Sequence, residues 1–326
     1  MLQPLPHFYT NGPIDEDIRT EDVRFSPSGR RVVVASTDGS LHLFAVEPSS
    51  RPLEVTYQTR LVSSELLSPH GVEFLSEDAV AVANRHDTIR AFRVPLRNTW
   101  DPETEVDRIG EMDSDWFGAP RETRRLRERS VATGPGAVRR HGRELLVCCN
   151  KLNTVTAHTF ALGENHVSFG AGRLVAQDGL EIPDGLAISH DGAWLAVSDH
   201  DNNRILVYRL ADGKLSCALM DDALKFPHGL CFDRTGNFLL SADAGNRFIH
   251  VFQGEGGWTA DQTRSVDRID AVPPFVFDRT QSAVPEAFRP LEGGSKGIDI
   301  DPSGRLVAIT CRHLLLRVFL LDPAFA

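Results

Sequence analysis

The chain has 326 residues and a formal net charge of −10, a balance that repels nucleic acid and anionic membrane surfaces. It holds no apolar run of roughly 18 residues, so no helix is expected to span a membrane. Five unevenly spaced cysteines give no disulfide framework, and Met1–Gly12 has neither the basic start nor the apolar core of a signal peptide, so a cytoplasmic address is expected.

Taken in order, the chain repeats one outline of short strands separated by tight turns. Glu21-Asp22-Val23 opens the first copy, with a turn at Pro27-Ser28-Gly29 and a later strand at Leu41–Val46. Pro69-His70-Gly71 opens the second, and Gly134-Pro135-Gly136 the third. Pro183-Asp184-Gly185 opens the fourth, whose three strands lie at Leu186–Ser189, Trp194–Val197 and Ile205–Leu210. Pro227-His228-Gly229 and Ser295-Lys296-Gly297 open the last two. The starts lie about 44 to 68 residues apart, as in four-stranded propeller blades carrying loop insertions. Outer strands fit at Leu53–Thr59, Arg173–Gln177 and Lys214–Leu219.

These repeats predict an all-β fold, a single six-bladed β-propeller of four-stranded antiparallel blades. The expected blades are 20–62, 69–131, 134–178, 183–222, 227–272, and 295–326 completed by 5–12. His7–Thr10 is expected to supply the last outer strand and so close the ring. A seventh blade hidden in Gly254–Gly294 is the competing architecture. Glu122–Arg129, within a charge-dense insertion, reads as a helical turn or as the outer strand of blade two. The aromatic-rich Gly254–Gly294, with Trp258, Phe275, Phe277 and Phe288, is expected to cover exposed core, with a lid as the lesser reading.

Strand direction places the starts of first strands and the ends of second strands on one mouth of the channel. The starts contribute Glu21, His70, Pro135, Asp184, His228 and Lys296. The ends contribute Ser36, Asn84, Asn150, Asp199, Asp243 and Cys311, with His86, His200, Arg312 and His313 beside them. Oxygen-rich groups suit Ca2+ or Mg2+, and imidazoles admit Zn2+ or Mn2+. Glu21, Asp184, Asp199 and Asp243 are therefore candidate ligands of a divalent cation, Ca2+ first. His70 and His228 are candidate catalytic proton carriers or further ligands. Asn84, His86, Asn150, His200, Lys296 and Arg312 are candidate substrate contacts. The same residue types also serve structure. Asp199 and Asp243 can brace the loops that follow them, and Lys296 can simply neutralise the acids. Cys311 reads as a packed side chain rather than a nucleophile.

PDGLAISHDGAWLAVSDHDNNRILVYRL and PHGLCFDRTGNFLLSADAGNRFIHVF resemble the repeats of NHL and YVTN-type propellers. They also resemble the SMP-30/gluconolactonase and paraoxonase-like six-bladed lactonases. The latter resemblance implies a divalent cation held by a Glu at a first-strand start, by an Asn after Pro, and by an Asp ending Ala-Asp. Glu21 matches the first by position. Asp184 or His228 stands at the second, where this chain departs from Asn, and Asp243 or Asp199 stands at the third. The Gly-Pro that usually follows the Glu is missing. On this reading the protein is a metal-dependent hydrolase of lactone or ester type, or a related lyase, acting on a small molecule. The alternative is a non-catalytic propeller binding a protein or peptide. No Gly-x-Ser-x-Gly, Walker-type Gly-rich loop, His-Glu-x-x-His or paired Cys-x-x-Cys occurs, so serine-hydrolase, nucleotide-binding and zinc-finger readings lose support.

Overall fold

Runs of β-branched and aliphatic residues, cut by Gly, Asp and Asn, settle as strands because alternate side chains can be buried on both sides of a blade. The computed structural model describes residues 3–4, 19–47, 53–85, 87–97, 99–112, 134–282 and 292–321. Six antiparallel sheets form a ring, and the only helices among the described residues are a 3-10 turn at Asn150–Leu152 and the helix Pro274–Ser282. In each blade the innermost strand is the first of its copy: Thr20–Phe25, Pro69–Ser76, Pro135–His141, Pro183–Ile188, Pro227–Phe232 and Ser295–Ile300.

The apolar core is a ring of six layers between neighbouring blades. Val147 and Ala81, for example, pack between blades two and three, and Val23 and Leu316 between blades one and six. A blade alone leaves both faces bare, so closure of the ring is what makes each blade stable. The turns far from the predicted site share one device. Asp301 Oδ1 accepts from Leu306 N at 2.6 Å and Arg305 N at 2.7 Å, and Asp233 Oδ1 accepts from Phe238 N at 2.8 Å. Gly236, with φ +73°, completes its turn in a region that disfavours other residues.

Four expectations take their final form here. The ring closes through an N-terminal strand at Gln3–Pro4, which pairs with Leu320 and Phe319; His7–Thr10 lies outside the described residues. The outer strand of blade two is Arg108–Glu111, and Glu103–Glu105 adds a parallel fifth strand to blade one; Glu122–Arg129 lies outside the described residues. Among its described residues Gly254–Gly294 forms no seventh blade: it carries Asp267–Asp270, the outer strand of blade five, and then the helix. Trp258 is 1% exposed, packed edge-on to Phe232 at 5.5 Å, with Nε1 donating to Gly236 O at 2.9 Å, so this segment does cover core.

Candidate axial site

Each innermost strand begins with a register break against its neighbour, as between Pro183 and Leu186 and between Pro227 and Leu230. Such a bulge re-aims a side chain. Here the second residue of each strand is turned toward the axis, so Glu21, His70, Gly136, Asp184, His228 and Lys296 occupy equivalent positions. The axis is crowded. A side chain at Gly185 would collide with the His228 carbonyl, and one at Gly229 with that of Lys296. In blade three the contributor is Gly136 rather than the expected Pro135. The space it leaves is filled by Asn150, whose Nδ2 donates to Asp184 Oδ1 at 2.5 Å.

Glu21 is the hub. Its Oε2 lies 2.8 Å from Lys296 Nζ, 3.5 Å from His70 Nε2 and 3.6 Å from His228 Nε2, and its Oε1 accepts from Arg19 Nε at 2.5 Å. Burial pushes this carboxyl up, but Lys296, His70, Arg19 and His228 together outweigh it and hold it at about 2. Asp184 Oδ2 lies 3.2 Å from His228 Nε2 and its Oδ1 3.8 Å from His70 Nε2. Against the opposing effect of burial, His228, His70 and Arg85 hold Asp184 well below the carboxylate range.

The three imidazoles differ. His70 Nδ1 sits 3.2 Å from Gly136 O, and Arg85 Nη1 lies 2.6 Å from its Nε2. Nδ1 must donate to the carbonyl and Nε2 accept from the guanidinium, which assigns the neutral ring. Burial accordingly lowers its pKa. Burial also brings His228 down to about 4, more than Asp184 can offset. His200 faces carboxylates on both nitrogens, Asp201 Oδ1 at 2.7 Å and Glu292 Oε1 at 3.1 Å. Burial lowers its pKa, but the bond to Glu292 and the nearness of Asp184 prevail and raise it. Glu292 also meets Arg19 Nη2 at 3.0 Å and Lys296 Nζ at 2.5 Å, so it ties the connector before blade six across the mouth.

The structure thus brings together Glu21, His70, Asp184, His228, Lys296 and Asn150, with His200 at the rim. It does not bring in Asp199 or Asp243 as ligands. Asp199 accepts from Glu181 N at 2.7 Å, Asn202 Nδ2 at 3.0 Å and Arg204 Nε at 2.6 Å. Asp243 accepts from Lys225 N, Gly245 N and Asn246 N, and meets His250 Nε2 at 2.9 Å. Both brace loops. Asn84 does the same through Leu67 N at 3.1 Å and Ser68 N at 3.4 Å. Arg312 is half-buried and makes no ion pair with this cluster among the described residues, and His86 lies outside them. Cys311 is fully packed, its thiol pushed up to about 12 by burial. Sequence reasoning missed Arg19, Arg85 and Glu292. The one available signal was proximity: each flanks a named position by one to four residues.

A cation could be held by Glu21, His70 and His228, whose ligating atoms lie within 4.8 Å of one another. Two features bear on the fit. Lys296 already places a positive charge on Glu21 Oε2, and the space lined by Glu21, His70, Asp184 and His228 is about 10 Å3, room for one water.

The WD domain, G-beta repeat family model matches residues 16–44, a stretch that includes the two innermost strands of blade one. No curated protein matches the chain. A crystal structure of a functionally unknown protein from Desulfotomaculum acetoxidans DSM 771 is similar at 14% identity, covering 93% of this chain and 82% of that one, with a TM-score of 0.54. These likenesses carry the propeller fold. They do not carry the narrower lactonase resemblance.

Proposed function

We propose that the protein is a non-catalytic recognition propeller that binds a protein or peptide partner over the face around the axial mouth. The observation that carries this reading is the Lys296–Glu21 contact at 2.8 Å, together with the small space of about 10 Å3 that Glu21 lines with His70, Asp184 and His228. Pockets that take small-molecule substrates run from roughly 300 Å3 upward. A ring whose charges are mutually compensated and packed to the size of one water supports a structural hub rather than a reaction chamber. Beside it, the helix Pro274–Ser282 presents Phe275, which is 74% exposed, and the loop before blade two presents Leu67, 56% exposed. Single exposed apolar side chains are ordinary, but aromatic ones serve as anchors when a partner covers them. The match to a WD domain repeat supports the same reading, since such blades commonly present their faces to other proteins.

The test is reconstitution. A partner captured by proximity labelling is purified and titrated against wild type and Phe275→Ser. Binding that weakens at least about tenfold in the variant fits an aromatic anchor. A partner whose affinity is unchanged by substitutions on this face would overturn the reading.

The Glu21, His70 and His228 set favours a second reading, a cation-dependent hydrolase of lactone or ester type acting on a small molecule. Two nitrogens and one carboxylate suit Zn2+ or Mn2+ better than Ca2+, which prefers oxygen. A cation there would polarise a carbonyl or acidify a water, with Asn150 and Asp184 orienting what binds and Lys296 withdrawn from Glu21. A rise in thermal midpoint with added Zn2+, Mn2+, Mg2+ or Ca2+, together with lactone turnover, would favour this reading.

A further inference from the structure

Each blade ends in an outer strand whose far-side amides and carbonyls invite pairing, so proteins cover such edges, shorten them or charge them. Five of the six rims are treated in one of these ways. Glu103–Glu105 covers blade one, and Gln262 covers blade four, donating to Ala218 O at 2.9 Å and accepting from Met220 N at 2.8 Å. Blades two and five end in four-residue strands with a charged residue at each end, Arg108–Glu111 and Asp267–Asp270. Blade six ends in the two residues Gln3–Pro4. Blade three differs. Its outer strand Val167–Ala176 runs ten residues, with one charged side chain and no proline, and no strand lies beyond it among the described residues. Neighbouring blades touch only its ends, Gly110 against Val167 O and Gly213 against Val175 O. The open stretch is Ser168–Leu174, in which Ser168, Ala171, Arg173 and Leu174 are exposed.

The sequence of this edge, VSFGAGRLV over 167–175, reads alike from both ends: Val167 answers Val175, Gly170 answers Gly172, and Ala171 is the centre. A two-fold contact uses the same patch on both subunits, so it needs this kind of self-complementarity. Antiparallel pairing about Ala171 sets Gly170 opposite Gly172 of the second copy, and Phe169 opposite the methylene stem of Arg173. Glycine inside a strand marks a bulge or a close backbone approach. The bulge against His158 and Phe160 falls here, and the two glycines leave no side chain in the way of a second backbone. Charge does not oppose this register. Arg173 is neutralised within its own copy, Nε 3.1 Å from Glu144 Oε1 and Nη2 2.8 Å from Oε2. The two arginines fall four residues apart, about 13 Å along the strand. A centre at Arg173 would instead set like charges face to face. We propose that the protein forms a two-fold dimer by antiparallel pairing of Ser168–Leu174 with the same stretch of a second copy. The pairing joins two four-stranded blades into one sheet and closes both open edges, so assembly stops at the dimer. The rim is separate from the face around the axial mouth, so the proposal does not rest on the partner reading above.

The test uses the full-length chain alone. Sedimentation equilibrium from about 1 µM to about 500 µM should show monomer passing to dimer and no further, as a small contact requires. Each copy carries a net charge of −10, so screening should tighten the dimer between about 0.05 M and about 0.5 M NaCl, where an ion-paired interface would loosen. In the wild type, deuterium should enter amides 168–174 freely in the dilute monomer and slowly once the dimer fills, a readout that needs no variant. Facing residues of antiparallel strands lie about 4.5–5.5 Å apart, within disulfide reach, so Ala171→Cys should cross-link two copies under copper-phenanthroline oxidation. The five native cysteines are buried, and Glu164→Cys, exposed but off the centre, should not cross-link. Ala171→Lys sets two ammoniums on the two-fold axis and should weaken the dimer about fivefold or more, with Ala171→Gln weakening it less. A monomer at every concentration, a dimer that a folded Ala171→Lys protein leaves unchanged, or a dimer that Ala171→Cys does not cross-link would overturn the proposal. A monomer whose amides 168–174 exchange slowly at every concentration would assign the edge to another segment of the same chain, and would overturn it as well.

Discussion

Replacing Lys296 with methionine keeps the length of the side chain and removes the ammonium that lies 2.8 Å from Glu21 Oε2 and 2.5 Å from Glu292 Oε2. At an effective dielectric of about 20, one such contact is worth about 6 kcal/mol of Coulomb attraction. The desolvation of both groups offsets most of that in the wild type, but the variant keeps the desolvated carboxylates of Glu21 and Glu292 and loses the ammonium they share, leaving Arg19 as their common cation. Breaking a buried pair in this way costs about 3–5 kcal/mol, a large share of a domain's total stability. Lys296→Met should therefore lose about 3–5 kcal/mol in urea unfolding followed by far-UV circular dichroism near pH 7.5. Removing the stranded charge as well, in Glu21→Gln/Lys296→Met, should recover more than half, and a chelator should change neither result. The pH dependence adds a signature. In the wild type the Glu21 carboxyl is depressed to about 2, so its contribution is present above its ordinary value of 4.5 and is lost as pH falls toward 2. Without Lys296 that carboxyl titrates higher, and the variant should lose less stability at mildly acid pH than at alkaline pH. A loss under about 1 kcal/mol, or a double variant no better than the single one, would refute the self-compensated ring.

Glu73, near Arg24 at the other end of the channel, has the reverse slope. Glu73 is raised to about 8 from 4.5, so the stability it contributes is full below 4.5 and is lost as pH rises through 8, with a ceiling of about 5 kcal/mol. Glu73→Gln should flatten that alkaline loss in unfolding midpoints measured from about pH 5 to about pH 9. Asp243→Ala strips acceptors from three loop amides and from His250, and should cost about 3 kcal/mol by urea unfolding, while Asp243→Asn, which keeps one acceptor oxygen, should cost about half as much. Trp258→Ala opens a cavity between blades four and five and should cost about 3–5 kcal/mol, read as a fall in thermal midpoint.

The blades were legible because four of the six first strands open on a residue followed by Gly: His70-Gly71, Asp184-Gly185, His228-Gly229 and Lys296-Gly297. The residue before that Gly finds the axis in each of the four, and Glu21 could be named with them from its matching place at the start of the first copy. The third copy misled because its Pro135 stands one place earlier than the residue that reaches the axis. Asp199 and Asp243 misled for a different reason. They end strands paired with Pro183 and Pro227, and from there a short carboxylate reaches the amides of the following loop before it reaches the channel. Arg19, Arg85 and Glu292 lie outside the regular strands, where no periodicity predicts direction. Arg108–Glu111 escaped notice as a strand because its charged residues lack the alternation that marks a buried one.

The segment 99–112 does more than finish blade two. It lends Glu103–Glu105 to the rim of blade one, where Arg60 N donates to Pro102 O at 3.0 Å and Val106 N to Val62 O at 2.9 Å, before Met112 N reaches Ile89 O at 2.9 Å. Gln262 repeats the gesture against Met220 on blade four. Perimeter amides that would otherwise face bulk solvent are thereby spoken for, so deuterium should enter Arg60 and Met220 more slowly than the outermost amides of blade three. Rims dressed in this way also offer a stray strand from another molecule fewer places to zip on.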